Sequence, residues 1–247
     1  HTAPMPVISY RGRIWRAVEC ARSNTDIWGK RYSAMIISAP DSADLLQAAS
    51  WSVTDSLPYD STYLDGKFGA WLEGNAVVTP DGNVADLLRV DYAPGPEYAA
   101  LIRLCDSVSF DPFDPEKDFV RMPGGAKKFT VRYDSLSGRY WSLVNYVTQE
   151  WAGKQNPAWV RNTLALSSSP NLQEWTVHRT VLHHPDIAKH GFQYADWLFD
   201  GNDIVLLSRT AYDDNGTGAH NCHDANYMTF HRIKDFRKAL TEQAGNR

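Results

Sequence analysis

Residues that could perform acid–base chemistry recur at matching places in this 247-residue chain, beside short apolar and aromatic runs. Glu73 and Asp196 lie near the start of two such runs, and Glu19 lies near the end of a third. Two carboxyl groups in different protonation states can act together as general acid and general base. The expected catalytic groups are therefore Glu73 and Asp196, accompanied by Glu19, His1 and Tyr194.

Side chains suited to binding a ligand occupy similar positions around these carboxylates. They are cationic, polar or aromatic: Arg16, Trp71, Asn75, Arg89, Lys128, Arg161, Trp197, Arg209, His223 and Asp224. Arginines would hold an anionic group, and a tryptophan ring would stack on a flat ligand face. A purely structural alternative stays open for some of the arginines, which could pair with nearby acids. The pairs in question are Arg16–Glu19, Arg89–Asp91 and Arg209–Asp213.

Four hairpin patterns would position these side chains. Each consists of two apolar or aromatic runs around a glycine turn, and the turn glycines at 12, 82, 138 and 201 stand 70, 56 and 63 residues apart. Asp-Gly between β-rich runs is a strong hairpin signal. After the first and third hairpins comes a further run, such as Ser33–Ser38 or Leu164–Ser169, then a polar turn and a strand opened by Trp51 or Trp175.

Four-stranded units that repeat at this spacing are typical of β-propeller blades. The sequence thus predicts an all-β fold, a β-propeller of about four antiparallel four-stranded blades, within a single domain at 1–247. The blades are expected at roughly 1–60, 68–115, 118–182 and 190–240. A β-sandwich is the less favoured alternative. Because the first and last units look unfinished, we expect an incomplete ring, the C-terminal portion of a longer propeller.

In a propeller, the innermost strands line a central channel and polar residues at their starts converge at one mouth. We therefore expect the carboxylates, arginines and histidines named above to form one pocket. His220 and His223 have a spacing found in metal sites, but no third ligand is fixed by the sequence. We expect no metal site and no cofactor, and a structural cation in the channel stays an open alternative.

Composition narrows the possible partners. Lys and Arg number 25 and Asp and Glu 29, which gives a formal net charge of −4 without a block of like charges. Such a chain has no electrostatic footprint for nucleic acid. No apolar run approaches the ~20 residues of a membrane-spanning helix. We expect neither a nucleic-acid partner nor a membrane span, and the oligomeric state is left open.

Several segments resemble bacterial proteins described as sialidase-like. The resemblance rests on Gly12-Arg-Ile-Trp-Arg-Ala-Val-Glu19, Trp71-Leu-Glu-Gly-Asn75, Lys127-Lys-Phe-Thr-Val-Arg-Tyr-Asp134, Gly191-Phe-Gln-Tyr-Ala-Asp-Trp197 and His223-Asp-Ala-Asn-Tyr-Met-Thr-Phe-His231. Ser167-Ser-Ser-Pro-Asn-Leu-Gln-Glu-Trp175 is similar to the Asp-box (BNR) turn of sialidases, without its central Asp and Gly. The resemblance implies a propeller associated with glycan breakdown outside the cytoplasm, extracellular or periplasmic. It also implies a site in which three arginines bind the carboxylate group of the substrate. The candidates for these arginines are Arg16, Arg89, Arg161 and Arg209.

Three functional hypotheses follow. The favoured one is a glycoside hydrolase, a sialidase-like exo-glycosidase acting on an acidic or complex glycan, with Glu73 and Asp196 as the carboxyl pair. Glu19, Asp91 and Asp224 are reserve carboxyl groups. The second is a polysaccharide lyase cleaving next to a uronate, with groups drawn from His1, His223, Tyr194, Arg161 and Lys128. The third is a propeller that binds glycans without catalysis.

Overall fold

The computed structural model describes residues 3, 5–21 and 25–242, which form two compact units. Unit 1 contains residues 1–93 and 98–121, and unit 2 contains residues 94–97 and 122–247. Nearly all regular structure is antiparallel β-sheet. The short helical turns are α1 (Tyr63–Gly66), α2 (Pro115–Asp118) and α3 (Ala239–Glu242), with single 3₁₀ turns at Ala48–Ser50, Pro157–Trp159 and Phe236–Lys238.

Unit 1 holds two four-stranded sheets. The first is ordered β1-β2-β3-β4, with β1 (Ile8–Tyr10), β2 (Arg13–Ala21), β3 (Tyr32–Pro40) and β4 (Ser52–Val53). The second is ordered β5-β6-β7-β8, with β5 (Phe68–Val78), β6 (Val84–Tyr92), β7 (Tyr98–Arg103) and β8 (Phe119–Arg121). In both sheets, strands that follow each other in the chain are hydrogen-bonded neighbours.

Unit 2 repeats this meander. Its first sheet is ordered β12-β11-β10-β9, with β9 (Thr130–Asp134), β10 (Arg139–Asn145), β11 (Thr163–Ser169) and β12 (Thr176–His183). Its second is ordered β13-β14-β15, with β13 (Gly191–Asp200), β14 (Asp203–Ala211) and β15 (Tyr227–Ile233), so it has three strands among the described residues.

The four predicted hairpins are all present. They are β1–β2, β5–β6, β9–β10 and β13–β14, each turning at one of the predicted glycines. Gly82 and Gly201 adopt φ values of +81° and +62° in their turns. Glycine enters this left-handed region without a steric penalty, so the Asp-Gly pairs fix where the chain reverses. The predicted third strands Ser33–Ser38 and Leu164–Ser169 lie in β3 and β11.

Each unit has its own aromatic core. In unit 1, the ring of Trp71 stacks on that of Phe119, with centroids 5.8 Å apart and an interplanar angle of 14°. In unit 2, Trp141 meets Phe236 edge-on at 4.9 Å, and Trp197 lies in the same buried cluster. Burying several aromatic side chains in each unit is the main hydrophobic stabilisation of these short-stranded sheets. Among the described residues, no helix is long and apolar enough to cross a lipid bilayer.

Candidate functional site

Three acidic side chains meet inside unit 1, and we call them the acidic cluster: Glu19, Glu73 and Asp86. Glu19 lies near the end of β2, Glu73 lies at an irregularity in β5, and Asp86 lies in β6. Their exposed fractions are only 3%, 5% and 1%. Carboxyl groups this deeply buried are rare in folded proteins unless they are paired or neutral, so their electrostatics indicate a special role.

Glu19 and Glu73 differ in charge environment. Burial, followed by the nearby negative charge of Glu73, raises the pKa of the Glu19 carboxyl from 4.5 to about 7. Glu73 instead forms an ion pair with Arg89, whose Nη1 lies 2.9 Å from Glu73 Oε2. At neutral pH the cluster therefore contains a carboxyl that can still donate a proton and a paired carboxylate. This is the combination that acid–base catalysis at one bond requires.

Asp86 is a member of the cluster that the sequence reasoning missed. Complete burial and, next, the charge of Glu19 raise its pKa well above the usual value for an aspartate. Its carboxylate lies directly against Gly74, and Oδ1 has no hydrogen-bond partner among the described residues. The available signal was an aspartate inside the apolar run 84–88. Its burial therefore favours the neutral form of the carboxyl group over the charged form.

A second group, the tyrosine–arginine cluster, lies in unit 2 and consists of Tyr194, Arg161, Arg209 and His223. Tyr194 sits at a bulge in β13 with φ +51°, a conformation that non-glycine residues rarely adopt. The guanidinium carbons of Arg209 and Arg161 lie 4.3 and 6.0 Å from the centroid of its ring. A strained residue with two cations near its ring is a feature commonly found at functional sites.

Hydrogen bonds hold both arginines of this cluster in place. Arg161 donates from Nη1 to Gln193 Oε1 at 2.6 Å and from Nε to the carbonyl of Ala158 at 2.9 Å. Arg209 donates from Nη2 to the carbonyl of His223 at 2.7 Å. These bonds fix the positions of both guanidinium groups beside the ring of Tyr194.

His223 and Asp224 lie on the exposed side of the cluster. His223 Nδ1 is 3.0 Å from Asp224 Oδ1. Hydrogen bonds from His223 and then Asn221 lower the pKa of the Asp224 carboxyl. Asp224 is therefore an ionised partner that orients the imidazole, and its place among the binding residues stays a prediction.

The expected structural pairs of Arg89 and Arg209 are replaced by other partners, whereas the Arg16–Glu19 pair stays a prediction. Arg89 bonds Glu73 rather than Asp91, and Arg209 bonds the carbonyl of His223. Arg16 donates from Nη2 to the carbonyl of Ala3 at 3.2 Å. Asp91 is not paired through a hydrogen bond to Arg89, and its pKa is raised by burial, with Arg89 acting in the opposite direction.

Asn75 and Lys128 are buried and hold the backbone. Asn75 donates from Nδ2 to the carbonyl of Leu87 at 3.3 Å within unit 1. Lys128, in unit 2, donates from Nζ to Thr130 Oγ1 at 2.8 Å and to the carbonyl of Ala195 at 3.2 Å. These bonds fasten neighbouring strands, so the structure supports a positioning role for both residues.

Two expected aromatic contacts are corrected by the structure. Trp71 is fully buried and donates from Nε1 to the carbonyl of Pro58 at 2.9 Å. Trp197 is 2% exposed and donates from Nε1 to the carbonyl of Thr130 at 3.1 Å. Neither indole has a face open to a sugar, because each ring fills the core of its unit. The expectation that they stack on a ligand is wrong.

Asp196 also differs from its expected position. Its side chain is 54% exposed and pairs with Arg132 at 3.4 Å. The bulge between Gln193 and Asp196 shifts the register of β13, so simple alternation no longer predicts which side chain points inward. His1, the remaining expected catalytic residue, lies outside the described residues.

Comparisons with known proteins bear on the fold. No protein-family model matches the sequence, and a search of curated proteins finds no match. Among solved structures, the chain is similar to the GH32 β-fructofuranosidase BmSUC1 of Bombyx mori, with a TM-score of 0.57 and 14% identity over 85% of this chain. It is similar to BT0996, solved as an RGII complex, with a TM-score of 0.56 and 13% identity over 93% of this protein and 70% of that one.

A third similar structure is an exo-β-1,3-galactanase from Phanerochaete chrysosporium, with a TM-score of 0.51 and 9% identity over 87% of this chain and 48% of that one. The fold class is the β-propeller. The four sheets are its blades, as predicted, and the neighbours are propeller glycoside hydrolases. The chain spans 41% of the length of the Bombyx mori enzyme. These neighbours do not single out the sialidase type.

Proposed function

We propose that the chain is a glycoside hydrolase whose reacting carboxyl groups are Glu19 and Glu73. The observation that carries the proposal is the contrast inside the acidic cluster. Glu19 keeps its proton up to about pH 7, while Glu73 is a carboxylate paired with Arg89 at 2.9 Å. Glycoside hydrolysis by two carboxyl groups needs this division, one acid and one base or nucleophile. The propeller-glycosidase neighbours support the same reaction class.

Each residue then has a defined part in the reaction. Glu19 donates its proton to the glycosidic oxygen as the bond to the anomeric carbon breaks. Glu73 either activates the attacking water or attacks the anomeric carbon itself. If Glu73 acts as the base, it takes a proton from the water as the hydroxyl adds to the sugar, and proton exchange with solvent then returns both groups to their starting states. If Glu73 is the nucleophile, Glu19 takes a proton from the water that releases the sugar from Glu73, which restores both groups. Arg89 orients Glu73 through their ion pair and is a positioning residue.

The proposed substrate is an acidic or complex glycan cleaved from its end. The sialidase-like resemblance of the sequence supports this class. The named neighbours extend the set of candidate substrates to sucrose, β-1,3-galactotriose and RGII. Glycan breakdown of this kind also favours an extracellular or periplasmic location.

The test compares three variants on these substrates and on a sialylated oligosaccharide. Glu19→Gln and Glu73→Gln should each lower kcat/KM by about 10²–10⁴-fold, the usual contribution of a positioned acid or base. Glu174→Gln is the matched control, because Glu174 is exposed in a turn of unit 2. Product release is followed by chromatography, and folding by circular dichroism.

A pH profile separates the two roles. The basic limb of kcat/KM should fall near pH 7 in the wild type and be absent from the residual activity of Glu19→Gln. Full activity of both folded glutamine variants would refute the assignment. If the wild type hydrolyses a glycan and only substitutions at residues other than Glu19 and Glu73 abolish the activity, the protein is still a glycoside hydrolase. In that case Glu19 and Glu73 are not its reacting carboxyl groups.

A polysaccharide lyase is the second candidate, and the tyrosine–arginine cluster favours it. Tyr194 or His223 would remove the proton next to a uronate carboxyl group, and Arg161 or Arg209 would neutralise that group. Elimination leaves an unsaturated sugar with a characteristic ultraviolet absorbance, whereas hydrolysis does not. If Tyr194→Phe abolishes formation of this product while Glu73→Gln leaves it unchanged, the lyase hypothesis replaces the hydrolase. Saturable glycan binding without either product would select the non-catalytic alternative.

A further inference from the structure

Two histidines and two carboxylates converge in unit 2, and we call them the histidine–aspartate group. His184, Asp186 and His190 belong to the segment that connects β12 to β13, and Asp213 follows the end of β14. The first three offer ligand atoms that all lie within 4.8 Å of one another. The group therefore joins two segments separated by more than twenty residues of chain.

His190 is the centre of the group. Its side chain is 6% exposed, and its Nδ1 lies 2.7 Å from Asp186 Oδ2. Its Nε2 lies 3.2 Å from Asp213 Oδ1 but makes no hydrogen bond with any described residue. A buried imidazole nitrogen left without a hydrogen bond is costly, so the site is built for a partner other than the groups that now surround it.

His184 lies face to face with His190. The ring centroids are 3.5 Å apart and the interplanar angle is 14°. Stacking at this distance fixes the relative orientation of the two imidazole rings. Tyr212 meets both rings edge-on, at 5.4 and 5.0 Å, and keeps them in this arrangement.

We propose that the histidine–aspartate group is a binding site for a divalent transition-metal ion of the Zn²⁺ class. Two imidazoles and one or two carboxylates are a ligand set that suits Zn²⁺ and its neighbours rather than Ca²⁺ or Mg²⁺, which prefer oxygen. With bonds of about 2.0–2.2 Å, tetrahedral ligand atoms stand about 3.3 Å apart, so small side-chain movements suffice. The Nδ1 of His184 now accepts a hydrogen bond from the Asp186 amide at 3.1 Å, and metal binding would replace that bond.

The bound ion would fasten residues 184–190 to the end of β14. Asp213 also lines a cavity of about 440 Å³, together with Tyr212, His183 and His231. The cavity offers the ion a path from solvent, and a position for a water or a ligand hydroxyl beside the metal. This proposal does not depend on the glycosidase assignment, since none of its residues belongs to the acidic cluster.

The test measures metal binding directly. Protein freed of metal with a chelator is titrated with Zn²⁺ by calorimetry, and with Co²⁺ by visible absorption, whose intensity reports tetrahedral coordination. The wild type should bind one equivalent and gain thermal stability. His184→Ala and His190→Ala should weaken binding at least about 100-fold, and Asp213→Asn about 10-fold or more. His220→Ala is the matched control, because His220 is exposed in a loop of unit 2, and it should bind like the wild type.

Folding is monitored by circular dichroism without metal. If His190→Ala does not fold, Asp213→Asn carries the test, because the Asp213 side chain is 72% exposed. Absence of one-to-one Zn²⁺ binding by the wild type would overturn the proposal. Equal binding by His184→Ala and Asp213→Asn would overturn it as well, because the ion would then lie elsewhere.

Discussion

Replacing Glu19 with glutamine should make the protein more stable at alkaline pH. The pKa of Glu19 is raised from 4.5 to about 7 by burial and by the charge of Glu73. The folded state therefore holds a proton that the unfolded state releases above about pH 4.5. Stability from this group is fully present below that pH and is lost as the pH rises through 7.

The rise in the pKa of Glu19 from 4.5 to about 7 means that full ionisation of this group lowers the unfolding free energy by about 3 kcal/mol. Little discount for solvent screening applies, because Glu19 is only 3% exposed. The Glu19→Gln side chain is neutral at every pH and similar in size. The unfolding free energy of the variant minus that of the wild type should therefore increase by about 3 kcal/mol between pH 4.5 and pH 8.

Urea unfolding of both proteins, followed by circular dichroism across this range, measures the difference. Comparing the two proteins cancels most of the contribution from Asp86 and Asp91, whose pKa values are also raised. Glu174→Gln, at an exposed site, should show no such pH dependence relative to the wild type. A difference between Glu19→Gln and the wild type that stays constant from pH 4.5 to pH 8 would refute the reasoning, because Glu19 would then titrate alike in both states.

Two further predictions concern packing and ion pairing. A Cβ on Gly74 would overlap the carboxylate of Asp86, which is too deeply buried to move aside. Gly74→Ala should therefore lower the unfolding free energy, measured with urea, by about 1–3 kcal/mol. The control is Gly216→Ala, because no atom lies within 4 Å of a Cβ at that position, and it should change the unfolding free energy by less than about 0.5 kcal/mol. Arg237 donates two bonds of 2.7 Å to Asp134 and lowers its pKa to about 2. Arg237→Ala should therefore cost about 2 kcal/mol at pH 7, a loss that disappears as the pH falls from 3.8 through 2, and an unchanged acid-unfolding midpoint would contradict this account.

The hairpins could be predicted from the sequence because their signals are local. The glycine turns and the alternating apolar runs place β5–β6 and β13–β14 correctly, and the spacing of these units predicts the propeller class. The sequence also led us to expect Glu19 and Glu73 in one pocket, and the structure brings their charges together. Glu73 lies in the middle of β5, however, and not at its start as expected. Asp86 was missed, although an aspartate inside the apolar run 84–88 was a signal for a buried carboxyl group.

Side-chain direction was predicted less well where the register is irregular. The bulge in β13 turns Asp196 towards solvent and places Tyr194 in a left-handed conformation with two arginines near its ring. Strict alternation cannot foresee an extra residue in a strand. Tryptophans carry a similar ambiguity, because the same ring can fill a core or face a sugar. Trp71 and Trp197 fill cores.

By itself, the sequence determined the repeated hairpins, the blade class and the residue types available for chemistry, because turns and periodicity act over a few neighbouring residues. Only the tertiary structure decided which of those residues meet and what charge each one carries. The proton of Glu19 depends on burial and on Glu73, which lies in another sheet of unit 1. The histidine–aspartate group likewise exists only where the end of β14 meets the segment before β13. Electrostatic energies depend on the distances between charges and on their burial, and the sequence alone specifies neither quantity.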